Sequence, residues 1–296
     1  MKKQKLAVVF AALLTMVGFS SCLNSEDDGI REWGGYFEVN NTYGSVNFVN
    51  PTGIQLVPNK TIIDAPASSA LAYINYQYKD EDMAQIEQTK KLPVTLLQDP
   101  TYLDGLYPTS LPEETETVSF DFQTQDTDGF HVDVNGLVWG ENKYLIMSPV
   151  VFLHKETTSD NLKEELQKHR LFISYDSEKD NVDNKTMKLF LRYQIMGVGD
   201  SGLEGEGSSD NETWAEEYSI LYSKKVYIRL DNILTQYKNV HGGAEPEKIE
   251  VEYEGKKGWS LNITDEITRT TPTMNPDKKE KKTVTYDLYK DTSVSK

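Results

Sequence analysis

The chain has one cysteine, Cys22, in 296 residues. No disulfide can close within it, and neither a cysteine-rich zinc site nor a Cys-X-X-Cys redox pair is available. Histidine is almost as scarce: His131, His154, His169 and His241 are the full set. None stands at a metal-ligand spacing and no HExxH occurs, so neither a metal nor a cofactor is expected. The four imidazoles read as surface or strand-end residues. A GxSxG nucleophile elbow is missing. Carboxylate pairs are everywhere only because the chain is acidic, so they carry no glycosidase signal. No catalytic residue is expected. Leucine-rich helical blocks are also few, whereas the 17 tyrosines favour strands.

Cys22 sits where a leader ends. Lys2, Lys3 and Lys5 form a positive start, Leu6 to Phe19 is uncharged and mostly apolar, and the small Ser20 and Ser21 precede the cysteine. The run is short for a membrane span and reads as a secretory signal peptide over residues 1–21. Phe19-Ser20-Ser21-Cys22 resembles the lipobox of bacterial lipoproteins. That resemblance implies a diacylglycerol on the Cys22 thiol, cleavage before it, and acylation of the new amino terminus. Two or more chains anchor stably where one would not. Ser25, Glu26, Asp27 and Asp28 follow directly. They resemble the surface-export signal of Bacteroidetes lipoproteins, which implies the outer membrane and its exterior face; a plain acidic spacer on the periplasmic face is the alternative.

Basic residues are in deficit. Taking the three leader lysines from 31 basic residues leaves 28 against 47 acidic, a formal charge of −19 for the chain from Cys22. Such a surface repels phosphate backbones, which excludes nucleic acid as a partner, and it repels anionic membranes, which suits a body held on a tether.

Past the tether, residues 22–33, the pattern is alternation. Tyr36 to Val39 reads as a strand. Val46 and Phe48 turn at Pro51-Thr52-Gly53 and return as Ile54 and Leu56, a hairpin. Leu71 to Tyr78 and Val94 to Leu97 follow, with a polar loop or loose helical turn between them. Val118, Phe120 and Phe122 point one way, Ser119, Asp121 and Gln123 the other. With little helix among them, residues 34–127 are expected to close as a small OB-like β-barrel, since closure removes exposed edges. The polar stretch 124–129 marks the boundary. Residues 128–296 alternate again: a long apolar strand to His154 that bends at Pro149, then Leu171 to Tyr175, Met187 to Tyr193, Val226 to Leu230, Ile249 to Tyr253 against Glu250 to Glu254, a return through Trp259, and Val284 to Leu288. One face buried and one wet is the signature of an antiparallel β-sandwich. A short amphipathic helix capped by Ser159 or Asp160 runs through Leu162, Leu166 and Arg170.

Two loops invite a ligand reading. Gln125 to Asp133 (QDTDGFHVD) resembles a calcium loop, but Thr124 and Asn135 would fall at its anchoring positions, so an interdomain turn fits better. Gly197 to Glu212 lacks the Lys-Ser/Thr of a phosphate loop, and its acids repel phosphate. The candidate ligand-binding residues are aromatic: Tyr102, Tyr107, Trp139 and Trp214. Exposed flat rings stack on sugars and anchor protein partners; Trp259 reads as core.

Leader, barrel and sandwich together resemble the NigD-like lipoproteins of Bacteroidetes. The residues that carry the likeness are Lys168 to Ile173 (KHRLFI), Thr186 to Tyr193 (TMKLFLRY), Gly199-Asp200, the strand Val226 to Leu230 ending at Asp231, and, earlier, Gly35 to Val39 with the hairpin to Leu56. Residues 201–216 and 265–282 depart from the pattern as insertions. The family takes its name from a gene of a bacteriocin operon, which implies an immunity or accessory role, and it brings no catalytic residue. The expected function is therefore a surface-anchored, non-catalytic binding or accessory lipoprotein with a protein partner. A glycan-binding lipoprotein of a nutrient-uptake system is the alternative.

Overall fold

The structure is a computed structural model. It describes residues 29–42, 45–62, 65–66, 69–109, 117–122, 136–175, 185–198, 217–256 and 279–289. The signal peptide, Cys22, the acidic residues 25–28 and the calcium-like loop lie outside these. The chain divides into two compact units between Gly105 and Leu106.

The first unit is a five-stranded barrel. Its strands are β1 (Ile30–Thr42), β2 (Ser45–Val49), β3 (Gln55–Pro58), β4 (Leu71–Lys79) and β5 (Lys91–Leu96), with the short β6 (Thr101–Tyr102) beside β4. Neighbours run β1-β2-β3-β5-β4, and β4 pairs back onto β1, closing the ring. The long β1 serves both closures: Ile30 to Glu38 pair with β4, and Glu38 to Thr42 with β2. β3 and β5 run parallel; the other pairings are antiparallel.

Alternation explains the inside of the barrel. Phe37, Phe48, Leu56, Ile74 and Tyr76 are essentially sealed, and Phe37 meets Tyr76 edge to face at 5.7 Å. Between β4 and β5 a 3-10 turn (Asp80–Gln85) leads into α1 (Ile86–Thr89), and Met83 and Ile86 enter the same core. The expected hairpin turn is present. The Asn50 carboxamide oxygen accepts the Ile54 N–H at 2.8 Å, and Gly53 supplies a φ of +81°. Gly34 has a different role: a Cβ there would collide with the Asn75 carboxamide and lie 2.8 Å from the Tyr73 hydroxyl, both on the paired strand β4.

Two boundaries differ from the sequence expectation. The strand begins at Ile30 rather than at 34, so Ile30 to Trp33 are sheet and not tether; Arg31 is fixed to Asp80 at 2.8 Å. The segment 117–122 was expected inside the barrel. It belongs to the second unit, where Val118, Phe120 and Phe122 are core. Alternation shows that a face is buried but not in which core. Here the opposite face is buried too, with Ser119 5% and Asp121 3% exposed.

The second unit begins at the last residue of β7 (Asp104–Leu106) and continues through β8 (Asp121–Phe122), β9 (Gly136–Trp139), β10 (Tyr144–Met147), β11 (Pro149–Leu153), α2 (Leu162–Leu166), β12 (His169–Ser174), β13 (Thr186–Ile195), β14 (Ile220–Ser223), β15 (Val226–Arg229), α3 (Asp231–Val240), β16 (Lys248–Lys256) and β17 (Lys279–Asp287). Three sheets share one core: β7-β15-β10-β9, β14-β11-β8 and β12-β13-β16-β17. The bend foreseen at Pro149 is where one sheet hands over to the next. β10 pairs with β15, and β11, starting at that proline, pairs with β14. The sandwich is not wholly antiparallel, because β13 and β16 run parallel, Met187 opposite Ile249. A parallel pair needs a long crossover, and the chain between them supplies it through β14, β15 and α3. The helix expected to run to Arg170 stops at Leu166, and Arg170 stands exposed on β12.

Candidate functional site

Two buried polar clusters stand out in the second unit. The first joins α2, β12 and β13. Glu165, near the end of α2, places its carboxylate four residues ahead of His169, the first residue of β12. His169 in turn meets Tyr193 across the β12–β13 pair. All three are buried, Glu165 at 5%, His169 at 3% and Tyr193 at 0% exposure. One Glu165 oxygen accepts the His169 Nε2–H and the His154 backbone N–H, each at 3.0 Å; the other takes the Lys168 ammonium at 2.9 Å. Since Nε2 donates, Nδ1 of a neutral ring is an acceptor, and the Tyr193 hydroxyl donates to it. The rings of His169 and Tyr193 stack at 5.9 Å.

The electrostatics follow from this geometry. Burial would raise the Glu165 acid, but the Lys168 ammonium, the His154 N–H and His169 overcome it and hold the carboxyl at about 2. Burial pushes His169 below its ordinary value, against the pull of Glu165, and it raises the Tyr193 phenol well above the usual range. The chain hydroxyl, imidazole, carboxylate has the order of a hydrolase relay. Its hydroxyl end, however, sits inside the core, 3.3 Å from the Phe152 carbonyl and edge to face with Phe120. What the arrangement does is pin a helix turn to two strands with every donor matched. The sequence pattern makes His169 a surface or strand-end imidazole. It does start a strand, but it is buried. The available signal was the four-residue Glu165 to His169 spacing, which puts both on one side of a helical turn.

The second cluster centres on Asp121. Its Oδ1 accepts the Tyr253 hydroxyl at 2.7 Å and the Phe122 N–H at 2.9 Å, and its Oδ2 meets the Lys282 ammonium at 2.7 Å. Burial, and then the carboxylate beside it, keep Tyr253 protonated far above the ordinary phenol range. Nearby, Arg192 bridges Glu252 at 3.0 Å and Glu254 at 3.6 Å, and Thr117 donates to Glu254 at 2.6 Å. The segment 117–122 is thereby tied into the β12-β13-β16-β17 sheet at both ends.

The aromatic candidates differ in exposure. Trp139 is buried, 7% exposed and packed at 5.9 Å against Tyr144, on the face of β9 opposite Val138, which packs on the core of the second unit. Tyr102 is half-buried against the barrel core, and Tyr107 is open at 68%. Trp214 and Trp259 lie outside the described residues, as does His131. His154 ends its strand, 3.3 Å from Glu217. His241 stacks on Tyr237 at 4.0 Å. Among the described residues no group of three His, Cys, Asp or Glu is arranged to hold a metal, and no helix is long and apolar enough to cross a membrane.

The architecture has solved counterparts. A Bacteroides fragilis protein designated a candidate lipoprotein matches with a TM-score of 0.60 at 20% identity, covering 88% of this chain and 99% of its own. An uncharacterized protein from Parabacteroides merdae matches with a TM-score of 0.44 at 12% identity, over 87% of this chain and 99% of its own. The first likeness shows a shared fold. No protein-family model matches the chain, and no curated protein matches it in sequence.

Proposed function

We propose that the chain is a lipid-anchored envelope protein, acylated on Cys22, that works as a non-catalytic binding or accessory module with a protein partner, in the manner of the NigD-like lipoproteins. The observation that carries this reading is the place of the only cysteine, directly after Phe19-Ser20-Ser21 at the end of an apolar leader. The fold shared with a candidate lipoprotein of Bacteroides supports it. So does the character of the buried polar clusters, whose carboxylates are spent on fixing secondary structure to secondary structure. The acidic Ser25 to Asp28 favour display on the outer face of the outer membrane.

Feeding cells a clickable fatty acid tests the anchor. The wild type should take up label, and Cys22→Ala should be secreted or left as unlabelled precursor. Protease added to intact cells should remove the protein if it faces outward. Cross-linking on intact cells, followed by purification and mass spectrometry, tests the partner. A dominant protein partner supports an accessory or immunity role. Recovery of the protein alone removes that support and directs the protein to a glycan panel, where Tyr107 is the first residue to change.

A further inference from the structure

Lys282 and Asp121 stand in a geometry that chemistry can use. Asp121 is 3% exposed. Phe120, Phe122 and Tyr253 surround it, with Tyr253 ring centroids 5.2 Å from Phe120 and 4.9 Å from Phe122. Lys282 Nζ reaches Oδ2 at 2.7 Å from β17, 161 residues away in sequence. Its stem lies over Gly255 of β16, where any Cβ would collide with Lys282 Cδ, so the glycine keeps open the path by which the lysine reaches the carboxyl. Glu280 stands 3.7 Å from the same nitrogen, and the Tyr253 hydroxyl donates to the other carboxyl oxygen, Oδ1.

We propose that Asp121 and Lys282 condense into an intramolecular amide, a covalent cross-link between β8 and β17. The ammonium passes one proton to Oδ2, directly or through Glu280. The neutral amine attacks Cγ, forming the C–N bond. Charge that develops on Oδ1 is met by the Tyr253 hydroxyl and the Phe122 N–H already aimed at it, in the way an oxyanion hole works. A second proton passes from nitrogen to Oδ2, the Cγ–Oδ2 bond breaks, and Oδ2 departs as water. A carboxylate and an ammonium thus become an amide and one water, with no oxidant, reductant or co-reactant. Two features drive the step. Holding the groups in contact removes the entropic cost of meeting. The aromatic surroundings of Asp121, whose side chain is 5% exposed against 21% for Lys282, also favour a neutral amide over a partly buried pair of charges, whose desolvation is costly.

Peptide mapping of the full chain purified from cells is the test. The expected result is a branched peptide joining the Asp121 segment to the Lys282 segment, lighter by one water than the sum of its parts and resistant to boiling in detergent with reductant. Lys282→Arg keeps the charge pair but lacks the nucleophilic amine, and it should give only the two linear peptides from a folded protein. Tyr253→Phe should lower the linked fraction. If the folded wild type yields only linear Asp121 and Lys282 peptides after prolonged incubation, the pair is an ion pair and nothing more, and the proposal fails.

Discussion

Replacing Glu165 tests whether the carboxylate holds α2, β12 and β13 together. In the wild type it accepts three donors. One of them, Lys168, is 45% exposed at its side chain and can turn to water, so its loss costs about 0–1 kcal/mol. The His169 Nε2–H cannot turn away, since that ring is fully enclosed. The His154 N–H is partly enclosed. Each stranded donor costs about 1–3 kcal/mol. Glu165→Ala should therefore cost about 3–5 kcal/mol, the range for a buried pair broken from one side. Glu165→Gln keeps the volume and one acceptor oxygen and should fall near 1–3 kcal/mol, while Lys168→Ala stays near 0–1 kcal/mol. Urea unfolding at neutral pH, with hydrogen exchange on the β12 and β13 amides to assign the transition, measures the series. The pH dependence gives a second reading. Glu165 is held at about 2 against an ordinary 4.5, so its contribution is whole above 4.5 and fades as pH falls through that interval towards 2. His169 is depressed below 6.5, so an unfolded chain takes up a proton there that the native ring refuses, and stability begins to fall below that pH. Glu165→Ala should abolish the first loss and sharpen the second, because the carboxylate was what favoured the imidazolium. Equal costs for Glu165→Ala and Lys168→Ala would refute the reasoning.

Four further outcomes follow from the structure. Gly136→Ala should cost more than about 2 kcal/mol in thermal unfolding, because φ is +132° and the new Cβ would strike the Ile146 carbonyl with Met147 Cα at 2.9 Å, all backbone. Gly34→Ala meets side chains instead, so its cost should shrink when combined with Asn75→Ala, a coupling that a double-mutant cycle reads directly. Trp139→Ala should lower stability by about 3–5 kcal/mol through the cavity it leaves, and leave any ligand binding untouched at temperatures where the variant is folded. Arg31→Ala should cost no more than about 1 kcal/mol, fading with added salt, since both members of the Arg31–Asp80 pair are about two-fifths exposed.

Much of the fold was readable because alternation is a direct record of burial. Leu71 to Tyr78 shows its inward set, Ala72, Ile74, Tyr76 and Tyr78, by alternation alone. The proline bend at Pro149 and the Asn50-to-Gly53 turn were readable for the same local reason: each is set by the backbone chemistry of one or two residues. What alternation leaves out is the partner. It is the same for parallel and antiparallel neighbours, so the β13–β16 pairing was hidden. It does not name the core a strand joins, so residues 118–122 were given to the barrel. The buried clusters were the least legible. Glu165, His169 and Tyr193 come from three elements, and Asp121, Tyr253 and Lys282 from three more. A polar residue in a strand reads as solvent-facing until the group that satisfies it is known. Trp139 failed in the other direction, since an aromatic ring looks the same in sequence whether it faces a ligand or the core.

The distribution of contacts also sets an order of assembly. Every strand of the barrel ring lies between Ile30 and Leu96, so the ring can close as soon as that stretch is available. The second unit cannot finish so early. Thr117 and Asp121 find their partners at Glu254, Tyr253 and Lys282, and β13 waits for β16. A chain delivered amino terminus first would therefore carry a completed barrel while Val118, Phe120 and Phe122 were still uncovered. Contacts this far apart close slowly, and uncovered apolar strands associate with whatever is near. Aggregation during production should therefore track truncation or delay of the last 50 residues far more than any change in the first 100, about the sequence distances over which these pairings are spread.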